Sequence, residues 1–220
     1  IEMMRKFDVM PSEIGEGLDA IRHEFDAPTE NMASLTPLLY QSGYMTIKDY
    51  DSEYGIYHLG IPNKEIRVWL FQSLLPLYLG QKGGRGGTAV AQMASLINRD
   101  DMDGALSLMS NFLETVPYCD NTKYEGHYQQ MLYVIFSLLT NYRMQVEVRT
   151  HRGRIDVVLE TSSRIYLIET KFDTPAEKAI QQILDNGYAD AYKNQNKPVT
   201  MVGINFSVKE TANIVEWLIK

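Results

Sequence analysis

Three ionisable residues stand among apolar ones: Asp156 between Ile155 and Val157-Val158-Leu159, and Glu169 and Lys171 after Ile165-Tyr166-Leu167-Ile168. An ionised carboxylate in an apolar strand is costly unless it is paired or bound to a cation. Side chains two apart on a strand share a face, so Glu169 and Lys171 point the same way. Pairing of residues 154–160 with 165–171 through the turn at 161–164 brings Asp156 beside them. Two such carboxylates make an oxygen site for a hard divalent cation, Mg²⁺ or Mn²⁺. Such a cation acidifies a bound water, and a lysine can orient that water and offset charge building on a phosphate. The chemistry expected is hydrolysis of a phosphodiester. The alternative is a salt-bridged cluster on a solvent-facing strand.

Glu125, one turn before Tyr128-Gln129, could add a third oxygen ligand or hold a metal-bound water. It equally suits the dipole of a helix N-terminus. His127 and His151 could act as bases or ligands, although lone histidines are more often structural. Charge is uneven along the chain. Residues 1–120 hold 9 Lys and Arg against 17 Asp and Glu, whereas 121–220 hold 12 against 11, within a net charge of -7. A nucleic-acid surface is therefore expected in the second half, where Arg143, Arg149, Arg152, Arg154 and Arg164 cluster. Arg149, Arg152 and Arg154 are the candidate phosphate contacts.

The rest of the composition sets the frame. The 220 residues, 45% hydrophobic and 22% charged, suit one or two globular domains. The absence of a long uncharged apolar run or a secretory signal makes a cytoplasmic protein without membrane contact the expectation. Cys119 has no cysteine partner and no metal-ligand spacing around it. Because the first residue is Ile1, the chain reads as a piece of something longer.

The elements that must position these residues follow from periodicity. Helices are expected over 11–25 and 31–42, the second ended by Gly43, followed by a hairpin of 44–47 with 55–59. This acidic region resembles a winged-helix unit. An apolar helix over 64–79, interrupted or bent at Pro76, precedes the glycine cluster at 80–88. That cluster lacks the preceding strand and the Gly-Lys-Ser/Thr ending of a phosphate-binding loop, so it reads as a flexible linker and no ATP site is expected. Two helices over 88–116 close the first region, 1–117. From Tyr124 a helix runs to 140, followed by strands at 144–150, 154–160 and 165–171 as an antiparallel meander. Thr174-Pro175-Ala176-Glu177 combines a capping box with a first-position proline and predicts a helix to about Lys193. A buried strand at 199–206 and a strand or short helix at 213–219 complete a second domain, 121–220.

Ile155-Asp156, twelve intervening residues and Glu169-Thr170-Lys171, set in an αβββαβ order, resemble the bipartite motif and core of the PD-(D/E)XK nucleases. The fold class implied is α/β (α+β), restriction-endonuclease-like, preceded by the mainly helical region. Ile155 replaces the proline of the motif name, a position that supplies no ligand. Gly43-Tyr44-Met45-Thr46-Ile47, Leu59-Gly60-Ile61-Pro62-Asn63, Gly153-Arg154-Ile155-Asp156 and Gln182-Ile183 with Tyr188-Ala189 are similar to segments of a bacterial family in which an AAA-like ATPase domain precedes such a nuclease. This resemblance implies an ATPase domain N-terminal to the present residues and DNA rather than RNA as substrate. It also implies Asp156, Glu169 and the Thr170 carbonyl as metal ligands, Glu125 as the helix glutamate, and Gln182 as the polar residue of the second helix that faces the site. The alternative is an inactive nucleic-acid-binding or protein-docking module beside the ATPase.

Overall fold

The computed structural model describes residues 9–29, 33–79, 86–114, 125–139, 145–148, 155–207 and 213–220. The chain divides into two compact units, Ile1–Leu74 and Leu75–Lys220.

In the first unit the helix expected over 11–25 is two short helices, α1 (Pro11–Glu16) and α2 (Arg22–Phe25), around strand β1 (Leu18–Ala20). Gly17 causes the break. Its φ of +103° suits glycine, and a Cβ there would stand 2.7 Å from the Leu59 carbonyl oxygen. The chain can thus lay β1 beside the expected hairpin. Helix α3 (Thr36–Gln41) follows, ended at Gly43 with φ +80°, and then β2 (Thr46–Asp51) and β3 (Ile56–Gly60). The sheet order is β1-β3-β2, all antiparallel. Ile14, Phe25, Leu39, Met45, Leu59 and Phe71 are buried in this unit. Helix α4 (Lys64–Leu79) straddles the division and contains Pro76 within its length.

The second unit begins with α5 (Gly86–Ile97), so the glycine-rich linker expected near 80–88 is helical from Gly86 onward; residues 80–85 lie outside the described residues. Next come α6 (Met102–Glu114), α7 (Glu125–Leu139), β4 (Gln145–Val148), β5 (Val157–Glu160), β6 (Ile165–Phe172), α8 (Ala176–Asp185), a 3-10 turn (Tyr188–Tyr192), β7 (Val199–Ser207) and β8 (Asn213–Ile219). This is the expected αβββαβ order with an added edge strand. The sheet runs β4-β5-β6-β7-β8, antiparallel except for the parallel β6–β7 pair, between which α8 is the crossover. Strands β6 and β7 are buried over most of their length, in keeping with their run of apolar residues.

One face of this sheet carries α8, whose Ile180 and Ile183 form a buried cluster with Ile155, Val158, Ile165 and Leu167. Alternate residues face the other way. Tyr166 donates its hydroxyl to Asp100 Oδ1 at 3.2 Å, and Trp217 Nε1 donates to Asp103 Oδ1 at 2.8 Å. Burial first, and then the Asp100 charge, push the Tyr166 phenol up to about 12. Helices α5 and α6 therefore pack in the same unit as the second sheet. The division by compactness falls at 74/75.

Helix α8 departs from expectation at both ends. It stops at Asp185, with Asn186 closing it and Gly187 at φ +61°, and only a 3-10 turn continues towards Lys193. At its start the capping box does not form. Pro175 occupies the N-cap without a side-chain bond, and Thr174 Oγ1 donates instead to the Phe172 carbonyl at 2.9 Å.

Candidate active site

The register of the sheet assembles the site. Val157 pairs with Ile168 in the antiparallel β5–β6 ladder, so one step further along brings Asp156 opposite Glu169. Asp156 leaves the ladder at this point, and its backbone N–H donates to Glu169 Oε2 at 3.4 Å. Thr170 holds the Asp156 carboxylate, donating its backbone N–H at 2.8 Å and its hydroxyl at 2.6 Å, both to Oδ2.

Glu169 and Lys171 share the α8 face of β6, as their spacing predicted, and Lys171 Nζ donates to Glu169 Oε1 at 3.0 Å. Gln182, on the second turn of α8, closes the set. Its Oε1 accepts from Lys171 Nζ at 2.6 Å, while its Nε2 donates to Glu169 Oε1. One amide thus reads both charges, with the oxygen toward the ammonium and the nitrogen toward the carboxylate. Lys171 keeps about a quarter of its side chain exposed (26%), whereas Glu169 is almost wholly covered (2%).

Burial raises the Glu169 carboxyl above the ordinary glutamate range, and the Asp156 charge raises it further; the bond and charge of Lys171 pull it back. Two carboxylates at close quarters, one buried and resisting ionisation, are a donor set whose repulsion a divalent cation relieves. Among the described residues no group of three or more acidic, histidine or cysteine side chains converges.

Other residues singled out by sequence have different fates. Glu125 opens α7, but its side chain, like that of His127, lies outside the described residues. Arg143, Arg149, His151, Arg152, Arg154 and Cys119 also lie outside them. Arg164 is an internal tie, not a candidate for substrate: Nη1 donates to Thr200 Oγ1 at 2.8 Å and Nε lies 3.6 Å from Asp100 Oδ1.

Sequence reasoning missed the Thr170 hydroxyl and Gly203. Gly203 pairs with Glu169 across β6–β7, and a Cβ there would meet the Ala176 carbonyl oxygen at 2.4 Å. The missing side chain is what lets α8 lie close enough for Gln182 to touch Glu169. An isolated glycine within an apolar strand is a recognised signal of close backbone approach.

Comparison with known proteins agrees with this geometry. The sequence profile of the PD-(D/E)XK nuclease superfamily matches residues 123–217. A protein of Azotobacter chroococcum mcd 1, described as an uncharacterised protein in the vnfD 5′ region, is 31% identical over 196 residues, which is 85% of this chain and 37% of that relative. The chain therefore spans little more than a third of the relative's length. No solved structure matches. No described helix is long and apolar enough to cross a membrane.

Proposed function

We propose that residues 123–217, a PD-(D/E)XK nuclease superfamily domain, hydrolyse phosphodiester bonds in nucleic acid with the help of Mg²⁺ or Mn²⁺. The observation that carries this reading is the Asp156, Glu169, Lys171 and Gln182 cluster, in which two carboxylates and a partly exposed ammonium are held by mutual hydrogen bonds. In this reading Asp156, Glu169 and the Thr170 carbonyl hold the cation, with Glu125 as a further candidate ligand. When bound, the cation supplies a Lewis acid beside the phosphate and a more acidic water.

The chain's own residues do the remaining work. Thr170 pins one oxygen of Asp156 and so fixes the carboxylate that would help hold the cation. Gln182 and Glu169 hold Lys171 Nζ in one place, so its charge and remaining N–H groups are preorganised toward a phosphate oxygen gaining charge. Burial of Glu169 keeps bulk water from screening these interactions. DNA is favoured over RNA, and an ATPase domain in the remainder of a longer protein is the proposed partner; both rest on the bacterial family resemblance. Domain extents of 1–117 and 121–220, and a cytoplasmic location, remain part of this proposal.

The test is cleavage of a mixed set of DNA and RNA substrates by the chain with Mg²⁺ or Mn²⁺. Lys171→Ala should bind the same substrates nearly as well, yet cleave about a hundredfold more slowly, the usual scale for one preorganised charge-stabilising group. A parent chain that binds nucleic acid but does not cleave it with either metal would favour the inactive binding module. Equal rates for parent and variant would remove Lys171 from the mechanism.

A further inference from the structure

The start of α8 is anchored in an unusual way. The first amide groups of a helix have no partner within it and need acceptors, which a nearby Ser, Thr, Asp or Asn ordinarily supplies. Thr174 stands next to that position, but its hydroxyl serves the Phe172 carbonyl. The acceptor comes from the edge of the sheet: Glu216 on β8, forty residues on, takes the Ala176 N–H on Oε1 at 2.7 Å. Asn205 on β7 takes the Thr174 N–H on Oδ1 at 3.1 Å.

These anchors are aligned with the site. Lys171 pairs with Asn205 across β6–β7, and Asn205 pairs with Glu216 across β7–β8. All three therefore stand in one row on the α8 face. Glu216 holds Ala176 at its N–H, and the Ala176 carbonyl oxygen lies where a Cβ at Gly203 would stand, so this turn sits close on β7. Gln182 lies six residues further, about 9 Å along the helix axis. A tilt or slide of the first turn is carried rigidly to the amide that touches both Lys171 and Glu169.

We propose that Glu216 is a positioning residue of the active site: by fixing the first turn of α8 it sets the place of Gln182, and through Gln182 that of Lys171. The proposal rests on the nuclease reading for its kinetic consequence but not for its structural one. Glu216 touches no reacting group, and its effect runs wholly through the helix.

The experiment compares Glu216→Ala, Glu216→Gln and Gln182→Ala, singly and as the Glu216→Ala/Gln182→Ala pair, in the whole chain with a labelled DNA duplex and Mg²⁺. Glu216→Ala should lower kcat about tenfold or more with little change in KM, since small displacements of reacting groups cost rate rather than attachment. Glu216→Gln keeps an acceptor oxygen of the same reach and should retain most of the rate. The double variant should be no slower than Gln182→Ala alone, because a residue acting only through Gln182 has nothing left to position. Multiplying losses in the double variant, or equal rates for Glu216→Ala and parent, would overturn the proposal. If Glu216→Ala does not fold, Glu216→Asp, which withdraws the carboxylate by one methylene, replaces it with the same expectations at smaller size. A second readout needs no turnover: the side-chain amide NMR signals of Gln182 should move toward those of a free glutamine in Glu216→Ala and stay in place in Glu216→Gln. Unmoved signals in Glu216→Ala sink the positioning role. A parent chain that never cleaves while these signals do move sinks the nuclease reading alone.

Discussion

Lys171 Nζ lies 2.6 Å from Gln182 Oε1, a contact between the sheet and the helix that follows it, and the same amide donates to Glu169. Strand and helix are thereby joined through the two charges with which hydrolysis would be performed. The first expectation concerns this amide. Gln182→Ala should lower kcat about tenfold to a hundredfold while KM for nucleic acid changes little, since it removes the hold on Lys171 but no substrate contact. Steady-state kinetics with a labelled duplex would check it, and a rise in KM at constant kcat would assign Gln182 to binding instead.

Metal binding should depend on Asp156, whose carboxylate Thr170 holds at Oδ2 beside Glu169. Titration calorimetry with Mn²⁺ should show Asp156→Asn binding about tenfold or more weakly, given that even residues behind the ligands often cost that much. Undiminished affinity in the variant would place the cation elsewhere.

The raised Glu169 carboxyl sets a pH dependence of stability. A group whose folded pKa lies above its unfolded value contributes stability that is complete below the unfolded pKa and is lost as pH rises through the folded one. In the metal-free protein Glu169 therefore costs stability above the ordinary glutamate range, because ionising it leaves a buried charge beside Asp156. Glu169→Gln should gain thermal stability relative to the parent as pH rises, and thermal melts from about pH 4 to about pH 8 would follow the difference. Added Mg²⁺ should narrow it by stabilising the ionised parent. A constant difference at all pH values in the absence of metal would show that the burial of Glu169 has no such consequence.

Gly203 should resist substitution even by alanine. The added methyl meets the Ala176 carbonyl oxygen at 2.4 Å and the Ala179 Cβ at 3.1 Å, so α8 must move. Overpacking of this kind commonly costs about 1–3 kcal/mol, which urea unfolding of Gly203→Ala would measure. A variant as stable and as active as the parent would show that α8 yields freely at this point.

Arg152 and Arg154 are proposed phosphate contacts on the basis of charge clustering alone. Replacing both by Ala should weaken DNA binding and flatten its dependence on salt, because fewer counterions are released. Binding measured across a range of salt concentrations would decide, and an unchanged slope would move the nucleic-acid surface away from this segment.

What the sequence by itself determined is the periodic and local part of this protein. The short β-branched and apolar segments 154–160 and 165–171, bounded by turns, were enough to find β5 and β6, the two-residue spacing placed Glu169 and Lys171 on one face, and the turn at 161–164 brought Asp156 opposite Glu169. These follow from strand geometry, which repeats within a few residues and so can be read along the chain. The tertiary structure decided what depends on distant partners. A strand splits the expected first helix because Leu59 lies where Gly17 turns. The capping box at Thr174 gives way because Glu216 and Asn205, remote in sequence, reach the start of α8 first. Gln182 was placed beside the site only through resemblance; its amide reaches Lys171 and Glu169 because Gly203 lets the helix lie close, a matter of packing between elements on which no local spacing bears.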